Sequence, residues 1–261
     1  MSYFFFDESI HPKGGFIVGA FVCTEREPTK MLRTALQDAG IQPGIDEYKS
    51  GAHVGRDPRQ ILARDGIDGV VGALARIALM VTPLVTPDIL GEEALAALRI
   101  FLDANGLAQR SHHVYLDQGI FSRPTRAFEL AAGIGIPARC TLHPEMDSRV
   151  VLGIQMADLV AHRTATMLLQ ELGVITKTVK AGDNSGYDAD MDIDLGFELW
   201  AGLRRSFFVQ PFDPDSDAYE EVPYPVVKVE PFGLYVSPLC GPALSHHVRE
   251  RFGSMYLGCI H

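Results

Sequence analysis

The sequence is short of several things, and each shortage removes a class of protein. It has no Cys-x-x-Cys pair: Cys23, Cys140, Cys240 and Cys259 are scattered. That excludes a disulfide framework or thiolate zinc motif and fits a reduced, cytoplasmic setting. No apolar run has the length that spans a bilayer, so no membrane partner is expected. Met1-Ser2-Tyr3 leads into a strand-like run with no basic segment, which does not read as a signal peptide. Positive charge is scarce as well: 23 Lys and Arg against 33 Asp and Glu, a net charge of -10. This argues mildly against a surface coated for nucleic acid, although acids gathered around a metal lower net charge without removing a local basic groove. There is no Gly-x-Ser-x-Gly elbow, phosphate loop or dinucleotide fingerprint.

What is present is a globular chain of 261 residues, 47% hydrophobic, enough for one large domain or one domain with an extension. Strand-like and helix-like stretches alternate from residue 2 to about 172. Strands are predicted at 3–6, 15–23, 77–86, 113–117 and 137–143, and a turn at 10–14. Helices are predicted at 29–38, from Pro58, at 91–105, at 123–133 and at 150–172, ending before Gly173. That alternation predicts an α/β layered domain over 1–172. Residues 173–261 read as a C-terminal extension packed on it, with a helix at 195–208, proline-rich extended structure at 210–245 and a short helix at best after Ser245.

Three acids stand out against this pattern. Tyr3-Phe4-Phe5-Phe6 runs into Asp7, and His113-Val114-Tyr115-Leu116 runs into Asp117. Aspartate is a poor strand residue, and strand ends in an open α/β sheet border the crevice where ligands bind. Asp158 interrupts the apolar helical run 151–169; Gln155, Asp158 and His162 share one helical face, and a polar stripe there must meet water, a partner or a ligand. The plainer alternatives are a turn residue or cap at Asp7, a cap or ion pair at Asp158 and a satisfied interface histidine at His162. Glu47, beside Tyr48 and Lys49, reads alone as a solvated loop charge. Glu8 should point away from Asp7 by strand alternation. Asp147-Ser148 is a candidate cap for the last long helix.

Taken together, Phe5-Phe6-Asp7-Glu8-Ser9, Glu47-Tyr48-Lys49, Tyr115-Leu116-Asp117, and Asp147-Ser148 followed by Gly153-Ile154-Gln155-Met156-Ala157-Asp158-Leu159-Val160-Ala161 resemble the domain-of-unknown-function 3800 family, which is similar to the ribonuclease-H-like superfamily. The likeness spans roughly residues 3–165 in the right order, and Gln-x-x-Asp-Leu after Asp-Ser is its most specific part. Ile10 stands where a glycine tends to follow Asp-Glu-Ser. The resemblance implies a ribonuclease-H-like mixed central sheet flanked by helices, with Asp7, Glu47, Asp117 and Asp158 converging on one or two Mg²⁺ or Mn²⁺ ions.

Hard oxygen ligands suit those ions, and two of them serve both the attacking water and the leaving oxygen of a phosphodiester. The expected activity is a metal-dependent nuclease acting on RNA, DNA or a hybrid. His162 or His113 is a candidate proton shuttle, and Lys49 a candidate contact to the scissile phosphate or to Glu47. Arg56, Arg59, Arg64, Arg123 and Arg126 are candidate backbone contacts, with ordinary surface solvation as the alternative. Two other readings stay open: a non-catalytic nucleic-acid-binding or protein-interaction module of the same fold, and a small-molecule phosphohydrolase. The run Asp188 to Asp194 carries Ile193 where a calcium loop needs glycine, and reads instead as a loop ending in a helix cap. Cys240, His246, His247, Cys259 and His261 fit no standard zinc spacing.

Overall fold

Aromatic and β-branched residues at both ends of a tight turn make a long hairpin, and that hairpin organises the sheet. The structure, a computed structural model, describes residues 1–51, 57–181, 187–211 and 226–257. Strand β1 is Ser2–His11 and β2 is Phe16–Thr24, antiparallel from Tyr3 opposite Thr24 to His11 opposite Phe16. The turn falls at 12–15, where Gly15 has φ +72°, a conformation open to glycine at no steric cost. After β2 come α1 (Thr29–Asp38), α2 (Pro58–Leu74), β3 (Ala75–Pro83), α3 (Pro87–Ala104), β4 (His112–Asp117), α4 (Pro124–Ile134), β5 (Cys140–Met146) and α5 (Gly153–Glu171). Then follow β6 (Thr178–Lys180), β7 (Asp192–Asp194), α6 (Leu195–Ala201), β8 (Val226–Lys228), β9 (Leu234–Val236), α7 (Pro242–Phe252) and β10 (Ser254–Tyr256).

Six strands join in the order β5-β4-β1-β2-β3-β9. The β1–β2 and β2–β3 pairs are antiparallel; β1–β4, β4–β5 and β3–β9 are parallel. Helices cover both faces, giving the mixed α/β architecture, a central mixed sheet flanked by helices, that the sequence predicts. Alternation along β1 sorts its aromatics. Phe4 and Phe6 turn to the core formed with α3 and α4, and Phe5 turns to the core formed with α5 and α2. Burying such a ring is worth about 2–3 kcal/mol, so a slip by one residue, which would exchange the two sets, is strongly disfavoured. None of the described helices is long and apolar enough to cross a membrane.

Four local readings change. Strand β1 does not stop before residue 10 but runs to His11, because β2 continues to pair with it. The strand at 137–143 lies instead at Cys140–Met146, with a bulge opposite the end of β4. The helix from 195 breaks at Ala201, and a 3₁₀ turn follows at Arg204–Ser206. After the prolines, α7 is a full helix: Pro242 suits its first turn, and Val248 and Phe252, four residues apart, are buried together. Asp192 and Asp194 belong to β7, and Asp194 precedes α6 with no side-chain capping bond. Arg56, Cys259 and His261 lie outside the described residues.

Candidate metal centre

Asp7 lies within β1, opposite Ala20 of β2, yet at the point where pairing to β4 ends with Phe6 opposite Leu116. Its β4 side is therefore open, which explains how an acid is tolerated in mid-strand. Asp117 is the last residue of β4, and the chain then turns sharply through Gly119, φ +86°. Glu145 secures that turn, accepting from Gly119 N at 2.9 Å and Phe121 N at 3.1 Å.

Helix α5 brings in the third acid. Gly153 sits against the Phe5 ring so closely that any Cβ would overlap it, which lets α5 lie directly on β1. The polar stripe on α5 then docks the segment 47–50. Gln155 Oε1 accepts from Tyr48 N at 3.0 Å, and its amide donates to Ser148 O at 2.9 Å. Ser50 N donates to Asp158 Oδ2 at 2.9 Å, and the Ser50 hydroxyl donates to Asp158 Oδ1. Ser148 Oγ donates to Glu47 at 2.6 Å, and Lys49 Nζ lies 3.4 Å from the same carboxylate. Asp147 is not the cap of α5, which begins six residues later at Gly153; its carboxylate instead binds Arg149.

The electrostatics report how these groups gather. Burial raises the Asp7 carboxyl well above the ordinary carboxylate range, and Asp158, Asp117 and Glu8 push it further. Burial carries Asp117 up to about 6, with Glu47 and Asp158 adding to it and Lys49 opposing. The Lys49 ammonium is disfavoured by burial but raised overall by Glu47, Asp158, Asp7 and Asp117. One lysine thus faces several carboxylates.

Glu8 stays in unbroken register opposite Gly19, so alternation turns it from Asp7 as expected, yet its charge reaches the group. Burial raises it to about 7, Asp117 is the neighbouring charge that raises it most, and its Oε2 is shut from solvent with no hydrogen-bond partner.

His162 is held neutral chiefly by burial, with Asp158 opposing, and His11 is lowered by burial and by His162. His11 falls within the turn predicted at 10–14, so the sequence does not single it out. His113 hydrogen-bonds His143 at 3.0 Å, four residues down β4 from Asp117 and about 13 Å from it along the strand. That separation takes it out of direct proton transfer at the acids. The described arginines among the candidate backbone contacts are paired on the surface: Arg59 with Asp57, Arg64 with Asp65, and Arg123 and Arg126 with Glu129.

The donor set fits a hard dication. Carboxylates outnumber the nearby cations, burial disfavours the anionic forms of Asp7, Glu8 and Asp117, and one buried oxygen is unpartnered. Asp7, Asp117 and Asp158 do not form a closed cage. Among the described residues, the one trio of His, Cys, Asp or Glu ligand atoms within 4.8 Å of one another is Glu171, His247 and Glu250. It lies at the far end of α5, about 20 Å along that helix from Asp158.

A prediction follows from the Glu8 carboxyl. A raised acid binds its proton more tightly in the folded chain, so its contribution to stability is complete below 4.5 and is lost as pH rises towards about 7. Glu8→Gln removes that loss. In chelator, the variant should melt with the wild type at pH 4 and above it at pH 8, by on the order of 3 kcal/mol at about 1.4 kcal/mol per pKa unit. Equal melting at both pH values would show that Glu8 carries no such strain.

No protein-family model matches the chain, and no curated protein matches it. A solved structure of the PCNA:RNase HII complex from Archaeoglobus fulgidus is similar at 20% identity, over 66% of this chain and 79% of that one, with a TM-score of 0.37.

Proposed function

We propose that the chain is a divalent-metal-dependent hydrolase of nucleic-acid phosphodiester bonds, with Mg²⁺ or Mn²⁺ held by Asp7, Glu47, Asp117 and Asp158. What supports this reading is the electrostatic strain on Asp7, Asp117 and Glu8, to which the Asp158 charge adds, at the end of the β1–β4 ladder. Kinship with the domain-of-unknown-function 3800 family belongs to the same proposal. The bound ion would supply Lewis acidity and a nucleophilic water at neutral pH. The rest falls to the protein. Lys49 is the cation that meets a scissile phosphate, and Glu47, bonded to Ser148 and Lys49, sets where that lysine rests. His162, neutral near pH 7, accepts a proton on the α5 side of the acids. Gln155 fixes the 47–50 segment that carries both Glu47 and Lys49.

One observation favours a second reading, a binding module of the same fold without activity: both carboxylate oxygens of Asp158 already accept from Ser50. The two readings part on Mn²⁺-dependent cleavage of labelled RNA, DNA and hybrid oligonucleotides. For the enzyme, Asp158→Asn should lower the rate at least about 100-fold, whereas Ser50→Ala, which frees an Asp158 oxygen, should lower it less than tenfold. A wild type that binds these strands without cutting them would favour the module, and equal rate losses in the two variants would remove Asp158 from the metal set.

A further inference from the structure

On the face of the sheet that α5 occupies, the helix lies across β1 and β2 and scarcely reaches β4. Beyond its edge the strands carry aromatic rings. Phe5 of β1, Tyr115 of β4 and His143 of β5 are direct neighbours across the sheet. Their rings stack nearly parallel: 5.4 Å and 14° between Phe5 and Tyr115, then 4.4 Å and 10° between Tyr115 and His143. Phe5 is buried, Tyr115 and His143 are half-exposed, and among the described residues β5 is the edge strand. The stack therefore ends on the outer face of His143, and among the described residues no further ring lies on it. A second pair, Tyr3 and His113, stands beside it, and the His113 ring bonds and stacks with His143 from the side, fixing its tilt.

A row of parallel rings ending at a half-exposed imidazole offers a flat apolar surface in the position of the next ring. Its natural occupant is a planar heteroaromatic ring, and its place in the sheet says which. Tyr115 and Asp117 are alternate residues of β4, so they share a face and stand about 7 Å apart along the strand. A strand with its phosphates at the acids has its bases within reach of that surface. A base inside a duplex is already stacked on both faces, whereas an unpaired base is free to stack on a protein ring. We propose that the outer face of His143, backed by Tyr115 and Phe5, seats an unpaired nucleobase of a single-stranded nucleic acid. This rests on the nucleic-acid hydrolase reading above, and narrows its substrate to single strands or unpaired segments.

The test is binding in chelator, read by anisotropy of short labelled oligonucleotides. The wild type should hold a single strand about tenfold tighter than a strand of abasic sites of equal length, or a blunt duplex. His143→Ala should remove about that factor for the single strand and leave the abasic strand unchanged. His143→Phe keeps a ring and should keep the preference; a melting curve shows that each variant is folded. The seat is overturned if His143→Ala weakens both strands alike, if it weakens neither, or if a mononucleotide binds as tightly as the strand. Cleavage in Mn²⁺ separates this from the reading it rests on. Should the wild type cut while His143→Ala keeps an undiminished single-strand preference, only the seat falls; should the wild type neither bind nor cut, both fall.

Discussion

Asp7→Asn is expected to lower Mn²⁺-dependent cleavage by roughly 10³-fold, about 4 kcal/mol of barrier, while raising the melting temperature in chelator. The two effects have one cause. Asp7 is 7% exposed and is raised by burial and by three neighbouring acids, so its anion is a liability to the fold when nothing neutralises it. Asparagine has the same shape and still accepts the Glu8 N–H that meets Asp7 Oδ1 at 2.7 Å, so the backbone has no reason to move. What it lacks is the charge that would hold a dication. A variant that is more stable and inactive would mark the carboxylate as kept for function. Cleavage within tenfold of wild type would remove Asp7 from the metal set, and a lower melting temperature would mark it as structural instead.

The largest effect on folding is expected at Gly153. A Cβ built there would stand 2.3 Å from Phe5 Cε1, 2.4 Å from Cδ1 and 2.5 Å from Cζ. The ring has no room to swing, being 3% exposed and stacked on Tyr115. Either α5 lifts from β1 or the aromatic row breaks. Overpacking of this kind costs about 3 kcal/mol, so Gly153→Ala should lower the melting temperature by roughly 10 °C. Phe5→Leu in the same chain should recover part of the loss. A Gly153→Ala protein that melts with the wild type would mean that α5 has slack at its N-terminus, and that the approach of Asp158 to Asp7 does not depend on this glycine.

The sequence made the strands, most helices and three acids legible because their signals are local. A period-two aromatic run, a proline at a helix start and a polar stripe on an apolar helix all lie within one element. Glu8 keeps the side that alternation assigns it, yet burial and the charge of Asp117 draw it into the electrostatics of the site. Asp147 was misread because the turn before α5 is closed by Arg149, a partner that capping patterns do not anticipate. The clamp of Ser50 on Asp158 joins residues 108 apart, and no spacing rule reports such a contact. Fold class is written in periodicity, whereas the company each acid keeps is written in the tertiary contacts.

Strand β9 has a consequence in time rather than in space. It pairs with β3 over Leu79 to Val81, and Ser237 N closes the ladder on Val81 O at 2.9 Å. Roughly 150 residues separate the two strands, so a ribosome working at about 5–20 residues per second needs on the order of ten seconds or more between them. Throughout that interval β3 has β2 on one side and lacks β9 on the other. Its hydrogen-bonding edge, open at Leu79 and Val81, is a template for any passing chain, and β9 is what retires it there, beyond the bond from Phe208 N to Ile77 O.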